Sequence, residues 1–281
     1  MDPREPRLTA LLGQPVAATM PLGGAYRLRL ADGAEVVAKR HDRPRGVAAE
    51  AAGLRWLAAG GLRCPHVLAH DEEWLVIEAV TVGSPSVAAA EAFGHELAAL
   101  HRTGASAFGD APPGGPVDGW IGLAPMRNVP GPAWPEWYAA HRVLPYLRDA
   151  VDQGVLHDPG PIEAVCERIG ELAGPAEPPA RLHGDLWSGN VLWGADGHVW
   201  LIDPAAHGGH RETDLAMLHL FGCPHLDRIV AAYDGAGPLA EGWRARIPLH
   251  QLFPLLVHTV LFGGGYGAQA VAAARAVLGG L

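Results

Sequence analysis

Five polar side chains in this chain have the types and the order needed to move a phosphoryl group. Lys39 ends the apolar run AEVVAK, and Glu50 follows in an Ala-rich stretch. RLHGDLWSGNVLW carries Asp185 and, five residues on, Asn190; Asp203 closes the apolar run after that. An Asp can orient a hydroxyl and accept its proton, while an Asn carbonyl and a second Asp offer hard oxygens to magnesium. Lys presents a compact ammonium that suits a narrow place between phosphates, where the planar fork of Arg does not. Residue usage sharpens the point: Lys39 is the only lysine, and every other basic residue is Arg. A helix-borne Glu50 could pair with Lys39 and hold it toward phosphates.

These side chains need elements to carry them. YRLRLADGAEVVAK alternates apolar and polar residues around Asp32-Gly33, a hairpin signal. With PVAATM and PLGG before it, the stretch reads as a three-stranded meander with Lys39 on the third strand and a Gly23-Gly24 turn over the phosphates. GVAAEAAGLRWLAAGG reads as the Glu50 helix, stopped by Gly60-Gly61. EEWLVIEAV reads as a short buried strand running into a hinge, where backbone groups near Glu78 and Val80 would face an adenine edge. VLWGADGHVWLID reads as strand, turn, strand, and returns Asp203 beside Asn190. This succession resembles that of protein-kinase-like phosphotransferases, although Pro204-Ala205 stands where protein kinases have Phe-Gly.

The totals are compatible. A chain of 281 residues suits two lobes. The expected fold is α+β and bilobal. Residues 1–80 form a small antiparallel-sheet N-lobe with one main helix; residues 81–281 form a mainly helical C-lobe. Net charge is −9 with no basic stripe, so no nucleic-acid partner is expected. That acidity is ordinary for a soluble cytoplasmic protein. Cys64, Cys166 and Cys223 are scattered and form no CxxC pair, which argues against a disulfide framework or a structural zinc site. The beginning, MDPREPRLTALLGQ, is charged early and is not a signal peptide. The apolar C-terminal stretch is interrupted by His250, Gln251, Pro254, His258 and a Gly cluster, so it reads as buried helices rather than a membrane span. Fifteen His raise the question of a metallohydrolase, but no HxH or HExxH element occurs. His95, His101, His250 and His258 fall on apolar helix faces and read as core or surface histidines. The Pro/Gly-rich residues 109–135 form a long loop, expected to cover the acceptor side.

LHGDLWSGN, DPAAHGGHRETDLAM and LFGGGYGAQA, with AALHR, FGD, GWIG, Asn128 and WPEWYAAHRVLPYL, resemble the fructosamine kinase (ketosamine 3-kinase) family from about residue 15 to residue 278. The resemblance implies a kinase using ATP and Mg2+ on the 3-hydroxyl of ketosamines, which are sugar adducts of amines, free or protein-bound. The phosphorylated adduct decomposes and frees the amine, a deglycation repair. It implies Asp185 as the catalytic base, Lys39 and Glu50 on the nucleotide, and Asn190 and Asp203 as metal ligands. Trp187 could stack on a sugar face or a cationic amine, or lie in the core beneath the loop. His210, Arg211 and Glu212 could line the acceptor pocket or tie their segment down. Asp214 resembles the helix Asp that holds the catalytic-loop backbone. The turn Gly23-Gly24-Ala25-Tyr26 is shorter than the family's usual phosphate-covering turn, and it lacks the cysteine that permits a redox-linked dimer in some relatives; a monomer is expected. The alternatives are a small-alcohol kinase of the aminoglycoside or choline type, against which the C-lobe acids look dispersed, and a non-catalytic pseudokinase, against which all five polar residues are present.

Overall fold

The computed structural model describes residues 5–280; residues 1–4 of the charged beginning lie outside them. Helix α1 (Glu5–Leu12) precedes a five-stranded antiparallel sheet of β1 (Val16–Leu22), β2 (Ala25–Leu30), β3 (Glu35–Arg40), β4 (Val67–His70) and β5 (Trp74–Glu78). The strand order is β1-β2-β3-β5-β4. The expected meander is its first half, and β4 is an edge strand that the sequence reading did not anticipate. The two-residue alternation of a strand explains where Lys39 points. Val36 and Ala38 of β3 join Leu28, Trp74, Val76 and Leu8 in a core on the α1 side. Val37 packs on the other side, with Leu75 and Ile77, against helix α2 (Gly46–Ala59), and Lys39 shares that face. Helix α2 buries Val47, Ala51, Leu54 and Leu57 as one stripe, and Glu50 falls on the same stripe. It ends before Gly60 and Gly61, as expected; Gly61 takes φ +96°.

After β5 the chain turns mainly helical. The division expected at residue 80 falls in the connection to α3 (Val87–Arg102), whose first turn is capped by Ser86 Oγ accepting from the Ala89 N–H at 3.2 Å. The loop expected over residues 109–135 contains a short hairpin, β6 (Gly119–Ile121) and β7 (Ala124–Met126). Then come α4 (Trp134–Tyr138), a π-helical turn (Ala139–Val143), α5 (Leu144–Asp152), α6 (Gly160–Glu167) and α7 (Ile169–Leu172). Strand β8 (Ala180–Leu182) pairs with β11 (His207–Gly209), and β9 (Val191–Trp193) pairs with β10 (Val199–Leu201). The final helices are α8 (Glu212–Phe221), α9 (Leu226–Ala236), α10 (Trp243–Phe262) and α11 (Tyr266–Gly279). Among the described residues no helix is long and apolar enough to cross a membrane.

One hydrophobic core runs through both parts of the chain. It joins Leu57 and Leu75 to Phe93, Leu186, Val191 and Leu201. The sheet and α2 are thereby packed on the β9–β10 hairpin. A second core gathers α4, α5, α10 and α11.

Candidate active site

The β9–β10 hairpin sets the spacing of the acidic and amide groups. Val191 pairs with Leu201, so Asn190 and Ile202 flank the open end, and the Ile202 N–H donates to the Asn190 carbonyl at 3.2 Å. Asp203 therefore emerges beside Asn190. It does so at φ +55°, a left-handed conformation that Asp tolerates better than most side chains. The Asn190 side-chain NH2 donates to the Asp185 carbonyl at 2.8 Å and to Asp185 Oδ2 at 3.2 Å. Its donors are turned to the loop, which leaves its carbonyl oxygen and the Asp203 carboxylate as hard oxygens on the cleft side. That donor set fits magnesium, which takes oxygen ligands and uses few protein side chains when phosphates supply the rest.

The loop before Asn190 is held by buried groups. The His183 ring accepts from the Asp185 N–H at 3.3 Å through Nδ1, and its Nε2 donates to the Ile202 carbonyl at 3.0 Å. Burial lowers its pKa, so it stays neutral. Asp214 in the first turn of α8 accepts from the His183 and Gly184 N–H groups at 2.8 and 2.9 Å, and from His101 Nε2 at 3.2 Å. Burial opposes its charge, but these donors keep its pKa below the ordinary value. Asp214 thus holds the backbone that leads into Asp185. Gly184 takes φ +83° with the Ala205 carbonyl where a Cβ would stand, so no other residue fits there. Burial pushes Asp185 up to about 7; the Asn190 amide opposes the shift, and the Asp203 and Asp214 charges add to it.

Lys39 binds both Glu50 Oε1, at 2.7 Å, and Asp203 Oδ1. Burial of Glu50 opposes its charge, yet Lys39 and His41 hold its pKa well below the ordinary carboxylate range. His41 Nε2 lies 3.0 Å from Glu50 Oε2, and His41 Nδ1 accepts from Arg43 Nη2 at 3.0 Å. Arg43 in turn donates to the Gly122 carbonyl in the β6–β7 turn, and Trp120 Nε1 donates to the Pro44 carbonyl at 3.1 Å. The loop after β3 and the β6–β7 hairpin are therefore joined across one end of the cleft.

A cavity of about 330 Å³ brings together Lys39, Glu50, Asp185, Trp187, Asn190 and Asp203. Trp187 is 39% exposed and lines this space, so it is not a core residue beneath the loop. The sequence reading missed His41, Arg43, Trp120, Leu123, His258 and Phe262, which also line it. His41 and Arg43 were within reach of pattern reasoning, because they continue the two-residue alternation from Lys39. His258, expected to be core or surface, faces the cavity from α10, and nothing in its local sequence marks it.

Other expected residues lie elsewhere. Gly23-Gly24 forms a two-residue turn in which Leu22 pairs with Ala25, and Ala25 pairs with Lys39. The turn thus ends one residue before the neighbour of Lys39 on the adjacent strand, but it does not line the cavity. Glu78 ends β5, Val80 follows it, and neither lines the cavity. The Glu78 N–H is already taken by the His66 carbonyl at 2.9 Å. His210, Arg211 and Glu212 do not line the cavity, and each has a partner elsewhere. Arg211 grips Glu177 at 2.6 and 2.7 Å and donates to the Gly237 and Pro238 carbonyls. Glu212 is buried and receives Arg246 through both oxygens, at 2.5 and 2.9 Å. His210 is buried among Trp134 and His250. His210, Glu212 and His250 come close enough to suggest a cation site, but Arg246 already supplies the positive charge. Glu177 and Arg246 thus tie this segment to others, the tethering role being the other one open to it.

Comparisons with known proteins bear on the family and the fold. The profile of the fructosamine kinase family matches residues 28–279. A Thermus thermophilus protein named a probable ketoamine kinase is 37% identical over 233 residues, covering 82% of each chain. A rice protein named protein-ribulosamine 3-kinase is 32% identical over 184 residues, 64% of this chain and 52% of its own. A Thermobifida fusca crystal structure, described as a candidate fructosamine-3-kinase, superposes with a TM-score of 0.91 at 50% identity over 99% of both chains. An aminoglycoside phosphotransferase crystallised with gentamicin shares the fold alone, at TM-score 0.65 and 14% identity, over 99% of this chain and 96% of that one. The fold is that of the protein-kinase-like phosphotransferases, and the chain belongs to the fructosamine kinase family, a family of kinases.

Proposed function

We propose that this enzyme transfers the γ-phosphoryl group of ATP to the 3-hydroxyl of a ketosamine, a fructosamine or ribulosamine of a free amine or of a protein lysine. The observation that carries the proposal is the convergence of Lys39, Asp185, Asn190 and Asp203 on one cavity in a chain of this family. Lys39, steadied by Glu50, holds phosphate oxygens. Asp185 orients the sugar hydroxyl for in-line attack and takes its proton; a carboxyl shifted to about 7 is a stronger base than an ordinary one. Asn190 and Asp203 would hold Mg2+, which when bound neutralises charge on the phosphates. Backbone groups at Glu78 and Val80 would meet the adenine, and the Gly23-Gly24 turn would close over the phosphates. Trp187 would stack on the acceptor. Catalysis of this kind is mostly positioning and charge neutralisation. The product would decompose and free the amine, which makes the enzyme a deglycation repair activity in the cytoplasm, acting as a monomer.

The test is ADP release with Mg-ATP over ribuloselysine, fructoselysine, an aminoglycoside and choline, with Asp185→Asn as control. Turnover of a ketosamine that the control lacks is the expected result. Activity confined to choline or the aminoglycoside would retain the chemistry and overturn the acceptor assignment.

A further inference from the structure

The cavity has two unlike ends. Its carboxylates are Glu50, Asp185 and Asp203, all gathered at the Lys39 end. The other end is apolar and aromatic. Trp187 stands two residues beyond Asp185 and meets Phe221 edge-on at 6.0 Å. The Phe221 ring lies 5.1 Å from His258, which lies 5.5 Å from Phe262 and 5.0 Å from Tyr266. A chain of rings therefore leads away from Trp187; of these, Trp187, His258 and Phe262 line the cavity, together with Leu123 of the β6–β7 turn. Four of the eleven exposed large hydrophobic side chains among the described residues belong to this set: Leu123, Trp187, Phe221 and Phe262, at 62%, 39%, 38% and 64%. All three aromatics among the eleven are here. Exposed apolar surface gathered in and beside one cavity marks a place where something binds.

Charge narrows what that is. His258 bonds the Pro254 carbonyl at 2.7 Å through Nδ1, and burial lowers its pKa, so it presents a neutral ring. Arg43 is the cation at this end, tied to His41 and the Gly122 carbonyl. An ammonium entering here meets ring faces rather than carboxylates. A second positive charge placed farther out would meet Arg43 and the apolar Leu123 and Phe262 without gaining a partner.

We propose that this aromatic wall is the subsite for the amine-derived half of the acceptor, and that it selects ketosamines of apolar or aromatic amines over those whose amine carries a further positive charge. The proposal rests on the ketosamine reading and adds the recognition of the amine half to it. Trp187 covers the sugar nitrogen, and Phe262 and Leu123 line the exit of its substituent.

The experiment compares kcat/KM for ribulose and fructose adducts of benzylamine and putrescine. The benzylamine adducts are expected to exceed the putrescine adducts by about tenfold or more, the scale of discrimination that an apolar pocket provides. Phe262→Ser and Leu123→Ser are expected to reduce that ratio several-fold, mainly through KM. Both side chains are more than half exposed, so neither change threatens the fold. Equal efficiency on the two amines, or a ratio that the two variants leave unmoved, would overturn the subsite while the ketosamine reading stands. Phosphorylation of choline or an aminoglycoside with no ketosamine turned over would sink both.

Discussion

At the scale of single residues, the same side chains that carry the proposed chemistry are those whose burial is hardest to reconcile with stability. Asp185 has its pKa raised to about 7, so the folded state holds its proton more tightly than the unfolded chain does. Its contribution to stability is present in acid and is lost as pH rises through about 7. Asp185→Asn is therefore expected to raise Tm by a few degrees at pH 8 while lowering kcat by about 10²–10⁴-fold. Thermal melts and steady-state rates on one preparation check both; a lowered Tm would show that the carboxylate is well solvated. Lys39 has the opposite bearing. Lys39→Met leaves buried Glu50 with His41 alone, at a cost of about 1–3 kcal/mol, below the full cost of breaking a buried pair because one partner remains. Urea unfolding should then find the Lys39→Met/Glu50→Leu double variant close to the parent in stability and still inactive. A double variant no more stable than the single one would mean that Glu50 is not the source of the loss.

At the scale of elements, helix α8 does two jobs from its first turn. Asp214 holds the amides that lead into Asp185, and Glu212 ties α8 to Arg246 and His250 of α10. Burial opposes the charge of Glu212, but His250 and Arg246 hold its pKa down to about 2. A depressed carboxylate stabilises the fold above its ordinary pKa, near 4.5, and that stability drains away as pH falls toward about 2. The parent should lose Tm steeply through that window. Glu212→Gln should start lower at pH 7 and fall less, and parallel curves would refute the assignment. Gly184 belongs to the same scale. Gly184→Ala forces a side chain into a left-handed backbone and against the Ala205 carbonyl, so a loss of about 1–3 kcal/mol and of activity is expected although Gly184 performs no chemistry. Wild-type turnover by that variant would show that the loop can shift without penalty.

At the scale of the whole molecule, the cavity lies between α2 with the sheet's inner face and the catalytic hairpin, and three links tie these parts together. They share a hydrophobic core, the Val82–Gly194 bridge pins the connection after β5 to the β9–β10 turn, and Arg43 and Trp120 join the loop after β3 to the β6–β7 hairpin. A ligand held by both sides should therefore stabilise the whole unit. Mg-ATP at about a hundredfold above its Kd should add about 2.7 kcal/mol and raise Tm by about 5–10 °C. Asp203→Ala should remove the increment due to magnesium and retain part of that due to ATP alone. A Tm indifferent to nucleotide would mean that the cavity does not take it.

Much of the chemistry was legible in the chain because it depends on local order. The strand alternation alone sends Lys39 and Val37 to one face, the α2 stripe includes Glu50, and the turn Ala195-Asp196-Gly197 folds Asp203 back onto Asn190. Those relations need only periodicity and a hairpin, which act over a few residues. The fate of His210, Arg211 and Glu212 was not legible, because their partners, Glu177, Arg246 and His250, come from 34 to 40 residues away in sequence. The acceptor wall is of the same kind: Trp187, Phe221, His258 and Leu123 belong to four separate segments, and His258 turns to the cavity only because α10 packs where it does. Local sequence sets the direction of a side chain on its own element; which side chain it then meets is decided by how the elements pack, and that requires the tertiary structure.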